Sequence, residues 1–184
     1  MPAGSAGAGL VLESYRNLLN RMDAAAGRAS PADSAGPCGA CHACCAPLAL
    51  LPLEAYALLA TGLLDDQPSG AASCPLLNET GCRAANARPF ACRARGLAVR
   101  HLDAEGGWVT GTCGFIARGP RESAAVVPLA ELVARLYHLD RRFRACLGLC
   151  QGRIEIAELC RAPDRYRALF SVPAAGLLVS RAAP

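Results

Sequence analysis

Apolar residues recur at helical spacing in two long stretches of the chain. Residues 10 to 26 form the first stretch, and its apolar face consists of Val11, Tyr15, Leu18 and Met22. The second stretch runs from about Pro128 to Gly148, and its apolar stripe consists of Leu129, Leu132, Leu136, Leu139 and Phe143. The pattern therefore predicts two long amphipathic helices that each bury one face.

A third apolar stretch, from Ala46 to Leu64, is close to the length of a transmembrane helix. Two prolines and Glu54 interrupt it. Because Pro52 suits the first turn of a helix and Gly62 suits its end, we predict a short helix from about 52 to 61. No membrane span is expected.

The remaining pattern predicts short elements between irregular loops. Leu97–Leu102 and Trp108–Thr112 are expected to pair as one small β-hairpin. Two short helices are expected near the C-terminal end, around Ile154–Cys160 and Asp164–Phe170.

Cysteines change this picture, because eight of the eleven lie between residues 38 and 113. The run Cys38-Gly-Ala-Cys41-His-Ala-Cys44-Cys45 is denser than packing requires, and thiolates spaced C-x2-C converge on one ion or cluster. Adjacent side chains of an extended backbone point to opposite faces, so Cys44 and Cys45 are expected to serve different sites. The predicted metal ligands are Cys38, Cys41, Cys44, Cys45, Cys74, Cys82, Cys92 and Cys113.

The order of these blocks resembles a known family. The CxxCxxCC run is followed by CPLL with a nearby GC and then by RPxxCR, all between Cys38 and Arg93. This order is similar to that of the CxxCxxCC proteins, zinc- or iron-chelating domains of the YkgJ type. The family often has an aromatic residue where this chain has Ala85. The resemblance implies a bound metal, and some relatives are attached to flagellin lysine N-methylases.

The spacing favours an iron-sulfur cluster over zinc. Cys38, Cys41 and Cys44 form the C-x2-C-x2-C run with which bacterial ferredoxins hold a [4Fe-4S] cluster, and Cys74-Pro75 resembles their remote Cys-Pro ligand. Zinc remains the alternative, since any four converging thiolates satisfy its tetrahedral preference. The expected role is electron transfer to a redox partner protein, cluster handling or redox sensing. The alternatives are a zinc-chelating structural or interaction module, and an accessory or catalytic part of a lysine N-methylase-like system.

Cys146, Cys150 and Cys160 form a second group, for which core packing is the favoured interpretation. Cys146 and Cys150 continue the stripe of the long helix. The alternative is a third metal site, shared with His138 or Cys45.

Four further side chains surround the predicted ligands. His42 occupies a spacer position and is expected to be exposed. Glu54 is expected to cap the short helix rather than approach the metal. Arg88 and Arg93 flank Cys92, where they either support thiolate sulfur through hydrogen bonds and charge or form surface salt bridges.

Composition excludes several function classes. All 19 basic residues are Arg, and they are scattered without interleaved aromatic rings, so the net charge of +4 does not indicate nucleic-acid binding. The first residues carry no secretory signal, which favours a cytoplasmic protein whose thiols stay reduced as ligands. No nucleophile, phosphate-loop or H-E-x-x-H motif is present in the sequence, so an enzyme is not favoured.

Three segments are predicted: a helix and linker (1–37), a cysteine-cluster metal-binding domain (38–118) and a helical segment (119–184). The predicted fold class is a small α+β domain, mainly α, with irregular metal-organised loops and one small β-hairpin.

Overall fold

The computed structural model describes residues 3–29, 48–65, 74–78, 81–94, 99–102, 108–111, 129–150 and 152–170. These residues are mainly helical and include small antiparallel strand pairs, so the chain has a small α+β fold. Within these ranges, no helix combines the length and the apolar character needed to cross a membrane.

Six α-helices follow one another along the described ranges. They are α1 (Ala3–Ala29), α2 (Pro52–Leu59), α3 (Phe90–Ala94), α4 (Leu129–Leu147), α5 (Ile156–Arg161) and α6 (Pro163–Phe170). All except α3 were predicted. The prediction starts α1 too late, because its first turns contain Ala, Gly and Ser and therefore show no apolar period. The predicted helix ends are confirmed at Gly62 and Gly148, whose φ angles of 72° and 65° suit glycine.

Six short strands form three antiparallel pairs in the described residues. They are β1 (Ala49–Leu50), β2 (Leu77–Asn78), β3 (Gly81–Cys82), β4 (Val99–Leu102), β5 (Trp108–Gly111) and β6 (Ile154–Glu155). The predicted hairpin is the pair β4–β5. The expectation of only one hairpin is wrong, since β2 and β3 form a second. The third pair, β1–β6, joins distant parts of the chain and uses two residues that were predicted to be helical.

The core lies mainly between α1 and α4. The predicted apolar faces are confirmed, because Val11, Tyr15, Leu18 and Met22 are buried together with Leu132, Leu136, Leu139 and Phe143. Near the start of α1, a Cβ on Gly7 would lie 3.0 Å from the Cys146 sulfur, so this approach of the two helices favours glycine. Buried residues of α2, α5 and α6 belong to the same cluster, which therefore draws on all three predicted segments.

Three aromatic rings join α2, α4 and α6. The centroid of the Tyr56 ring lies 5.0 Å from that of Phe143 and 5.8 Å from that of Phe170, and the latter two are 6.1 Å apart. The planes are tilted or edge-on, as aromatic pairs prefer. This cluster fixes α6 against the core.

A buried carboxylate attaches α4 to the first turn of α2. Asp140 is 1% exposed, and one of its carboxylate oxygens accepts a hydrogen bond of 3.1 Å from the backbone N–H of Leu53. The other oxygen accepts a bond of 2.9 Å from Arg144, one turn further along α4. Asp140 thus satisfies a backbone donor that a helix N-terminus leaves unpaired.

Candidate metal centre

Three of the eight predicted metal ligands lie in the described residues. Cys74, Cys82 and Cys92 are partly buried and free of disulfides. The other five, and His42 with them, lie outside the described residues: Cys38, Cys41, Cys44, Cys45 and Cys113.

The β2–β3 hairpin brings Cys74 and Cys82 together. Leu77 pairs with Cys82, and the backbone N–H of Leu77 donates a 3.0 Å hydrogen bond to the carbonyl of Cys74. Leu76 anchors the hairpin in the core with 2% exposure. Burial raises the pKa of the Cys82 thiol, and a nearby negative charge on Cys74 raises it further. Cys74 thus lies just before the first strand of this hairpin, and Cys82 lies in the second.

Arg88 supplies positive charge beside this pair. Its guanidinium lowers the pKa of Cys82, against the larger effect of burial. Its Nε atom is buried and has no hydrogen-bond partner among the described residues. A buried donor without a partner is costly, and a thiolate sulfur is an acceptor that this donor could use. Burial thus disfavours the Cys82 thiolate on balance, and the charge of Arg88 offsets part of that effect.

Arg93 has a structural role instead. Its Nε donates a 2.8 Å hydrogen bond to the carbonyl of Arg88, and its guanidinium forms an ion pair with Asp23 of α1. These contacts hold the loop before α3 against α1. Of the two arginines that flank Cys92, Arg88 thus acts by its charge on Cys82, and Arg93 forms a salt bridge.

Glu54 joins the N-termini of α2 and α3. One carboxylate oxygen accepts a 3.1 Å hydrogen bond from the Leu51 N–H, and the other accepts a 3.0 Å bond from the Phe90 N–H. The predicted capping role is confirmed and extends to a second helix, the one that carries Cys92. The Glu54 side chain is buried, and burial raises its pKa, while these two hydrogen bonds oppose the rise.

Tyr15 places α1 beside Cys92. Burial raises the pKa of the Tyr15 hydroxyl well above its ordinary value, and negative charge on Glu54 or Cys92 adds to this effect. Tyr15, Glu54 and Arg93 also line a cavity of about 630 Å³ between α1 and α2. The backbone around Cys92 is therefore fixed from both sides.

The second cysteine group divides into three environments. Cys146 is partly buried and faces Gly7, which fits the packing interpretation. Cys150 is exposed, so a core role for it is wrong, because α4 ends before it and Gly148 turns the chain away. Cys160 is buried, and burial is the main reason that the pKa of its thiol is raised to about 11. Negative charge on Cys74 adds to this rise.

Sequence reasoning missed this proximity of Cys160 and Cys74. It depends on the pairing of β1 with β6, which sets the position of α5. Strands of two residues show no alternation of apolar and polar positions, so the sequence contains no signal for this pairing.

The described residues do not form a complete metal site. In the ranges that the structure describes, no three His, Cys, Asp or Glu side chains converge in a way that could hold a metal ion. A tetrahedral thiolate site needs four donors, of which the predicted ligands Cys74 and Cys82 would be two.

Comparison with family models, with curated protein sequences and with solved structures finds no match to this chain. The resemblance to the CxxCxxCC proteins therefore stays a prediction.

The double capping role of Glu54 predicts a pH-dependent cost for Glu54→Gln. A glutamine offers one acceptor oxygen, so one of the two backbone donors loses its partner, and we expect the free energy of unfolding at pH 7 to fall by about 1–3 kcal/mol. Because the folded-state pKa of Glu54 is raised, the wild type gains stability as pH falls through that value, whereas Gln cannot titrate. The difference in free energy of unfolding between the wild type and Glu54→Gln should therefore widen as the pH is lowered towards 4.5. Denaturant unfolding at each pH measures this difference.

Glu13→Gln on the exposed face of α1 is the matched control, with a change expected within about 0.5 kcal/mol. Equal stability of Glu54→Gln and the wild type at pH 7 would show that the two caps contribute nothing.

Proposed function

We propose that this chain is a metal-binding protein whose cysteine thiolates hold an iron-sulfur cluster. The observation that carries the proposal is that one hairpin holds Cys82 and is closely preceded by Cys74. The charge of Arg88 acts on Cys82, and the buried Nε of Arg88 has no hydrogen-bond partner among the described residues. Such a donor next to a thiol is suited to a thiolate that bears a metal. The remaining ligands are those of the sequence prediction, from the C-x2-C-x2-C run and from Cys92 and Cys113.

The same donors would also hold zinc, which is the alternative cofactor. The choice of iron-sulfur rests on the ferredoxin-like spacing of Cys38, Cys41 and Cys44 and on the Cys74-Pro75 pair. A bound cluster would supply one-electron redox chemistry. Hydrogen bonds to cluster sulfur and nearby charge set the potential of a cluster, and Arg88, with its buried Nε and its charge near Cys82, would contribute to both.

The anchoring of two predicted ligands suits a role in electron transfer or redox sensing. Cys82 and Cys92 lie on short elements that buried neighbours anchor, namely Leu76 for the hairpin and Glu54 for α3. Rigid ligands reduce the rearrangement that accompanies a change of charge. Metal binding would in turn organise the loops between Cys38 and Cys113, as in small domains whose binding energy is folding energy.

The test is the metal content of protein purified without oxygen. We expect a brown solution that contains iron and acid-labile sulfide, whereas a colourless solution with zinc would select the alternative. Cys74→Ser, Cys82→Ser and Cys92→Ser should each lower the metal content. Cys150→Ser, at an exposed cysteine beyond α4, should leave it unchanged. A wild-type chain without bound metal, or equal loss in the control, would contradict the proposal.

A further inference from the structure

The cavity of about 630 Å³ between α1 and α2 has the size of a small-molecule site. Such sites measure roughly 300–1,000 Å³ and are lined mainly by apolar side chains. Much of the lining here is apolar, with Leu12 and Leu19 from α1, Ala57 from α2 and Leu63 from the chain just beyond α2. None of its described lining residues is a cysteine, so the proposed metal centre leaves this space unused.

Several polar groups of the lining are already satisfied by the protein. Both carboxylate oxygens of Glu54 accept backbone hydrogen bonds, and its side chain is buried. The Thr61 hydroxyl donates a 2.6 Å bond to a carbonyl in the last turn of α2. The Arg93 guanidinium bonds two backbone carbonyls and pairs with Asp23. These groups therefore offer a ligand little further hydrogen bonding.

Three other polar side chains of the lining have donors to offer. Arg16 and Asn20 lie one turn apart on α1, and Asn86 lies in the 3-10 turn Ala85–Ala87, before α3. All three residues are exposed, and none of their side chains has a hydrogen-bond or ion-pair partner among the described residues. A guanidinium and two amides supply N–H donors, and the guanidinium adds a positive charge. The apolar cavity thus has a polar rim with available donors.

The charges of the lining select the class of ligand. Two arginines, at positions 16 and 93, line the cavity against one carboxylate, Glu54. An ammonium group would be repelled by Arg16, and both oxygens of Glu54 are occupied by backbone N–H groups. A carboxylate can instead accept two parallel N–H bonds from a guanidinium.

We propose that this cavity binds a small amphipathic carboxylate, whose charged group lies at Arg16 and Asn20. Its apolar body packs against Leu12, Leu19 and Ala57. The rim position leaves the carboxylate partly in water, which avoids the cost of burying a charge. This binding site goes beyond the proposed function and does not depend on a bound metal.

The test is the binding of octanoate to the full chain, measured by isothermal titration calorimetry. Octylamine and 1-octanol have the same alkyl chain and serve as probes of the charged group. We expect saturable binding of octanoate and weaker binding of the other two. Arg16→Gln should weaken octanoate binding by roughly tenfold or more, since a hydrogen bond to a charged group contributes that much. Arg142→Gln removes the same charge from the exposed face of α4 and should leave the affinity unchanged.

Ala57→Leu tests the apolar part of the site. Ala57 is half-buried, and leucine is a good helix former whose larger side chain takes up cavity space, so we expect octanoate binding to be lost. Arg16→Gln changes an exposed position of α1 and keeps the inference testable if Ala57→Leu does not fold. Octanoate that shows no saturable binding, or that binds no more tightly than octylamine, overturns the inference. Equal loss of affinity in Arg16→Gln and Arg142→Gln also overturns it, and each of these results leaves the proposed metal centre untouched.

Discussion

Replacing Asp140 with Ala is expected to lower the free energy of unfolding by about 3–5 kcal/mol. The carboxylate is almost fully buried, and it accepts hydrogen bonds from both the Leu53 N–H and Arg144. Its loss leaves a backbone donor of α2 and a half-buried guanidinium without their acceptor. For a chain of this length, the effect corresponds to a fall in Tm of roughly 10 °C, measured by circular dichroism at 222 nm.

Glu131→Ala is the matched control on the same helix. Glu131 also pairs with an arginine, Arg21, but both side chains are more than half exposed, so a change of about 0–1 kcal/mol is expected. Asp140→Asn keeps one acceptor oxygen, so its loss of unfolding free energy should lie between those of Asp140→Ala and Glu131→Ala. If Asp140→Ala is no more destabilised than Glu131→Ala, the buried carboxylate does not hold α2 against α4.

The long helices could be predicted from the sequence because their signals are local. An apolar residue every third or fourth position specifies a buried face, and the stripes from Val11 to Met22 and from Leu132 to Phe143 are both buried. Pro52 and Gly62 act on their own backbone, so the ends of α2 could be placed as well.

The elements that position the cysteines carry no such signal. The strands β1, β2, β3 and β6 have two residues each, too few for alternation to be visible. Their pairing depends on the packing of distant helices, which is why the neighbourhood of Cys160 and Cys74 is visible only in the fold.

The candidate site could be predicted in part, at the level of residue types. The role of Glu54 as a helix cap follows from its place in the first turn of α2, but its second bond, to Phe90, depends on the tertiary fold. Arg88 and Arg93 are equivalent in the sequence, since both flank Cys92. Their different roles arise because Asp23 of α1 lies within reach of Arg93.

Removing the metal is expected to open the cysteine segment while the helical core stays folded. Binding free energy in small zinc domains is on the order of 10 kcal/mol, and this energy is what orders their ligand loops. Here α1, α2 and α4 share a large apolar cluster that is independent of any metal. Chelation should therefore change the fluorescence of Trp108, the single tryptophan, which lies in β5. The helical signal at 222 nm should change little.

Limited digestion with trypsin locates the effect, because the chain contains no lysine and every cleavage site is an arginine. After chelation, we expect rapid cleavage at Arg95 and Arg100, within the cysteine segment and beyond the residues that the core contacts hold. Arg21 of α1 and Arg142 of α4 are internal controls, since both lie within core helices and should remain protected. Cleavage that spreads equally to these two sites would mean that the metal stabilises the whole fold. A segment that stays resistant after complete metal removal would show that its order comes from its own packing, and the proposed metal-dependent order would then be wrong.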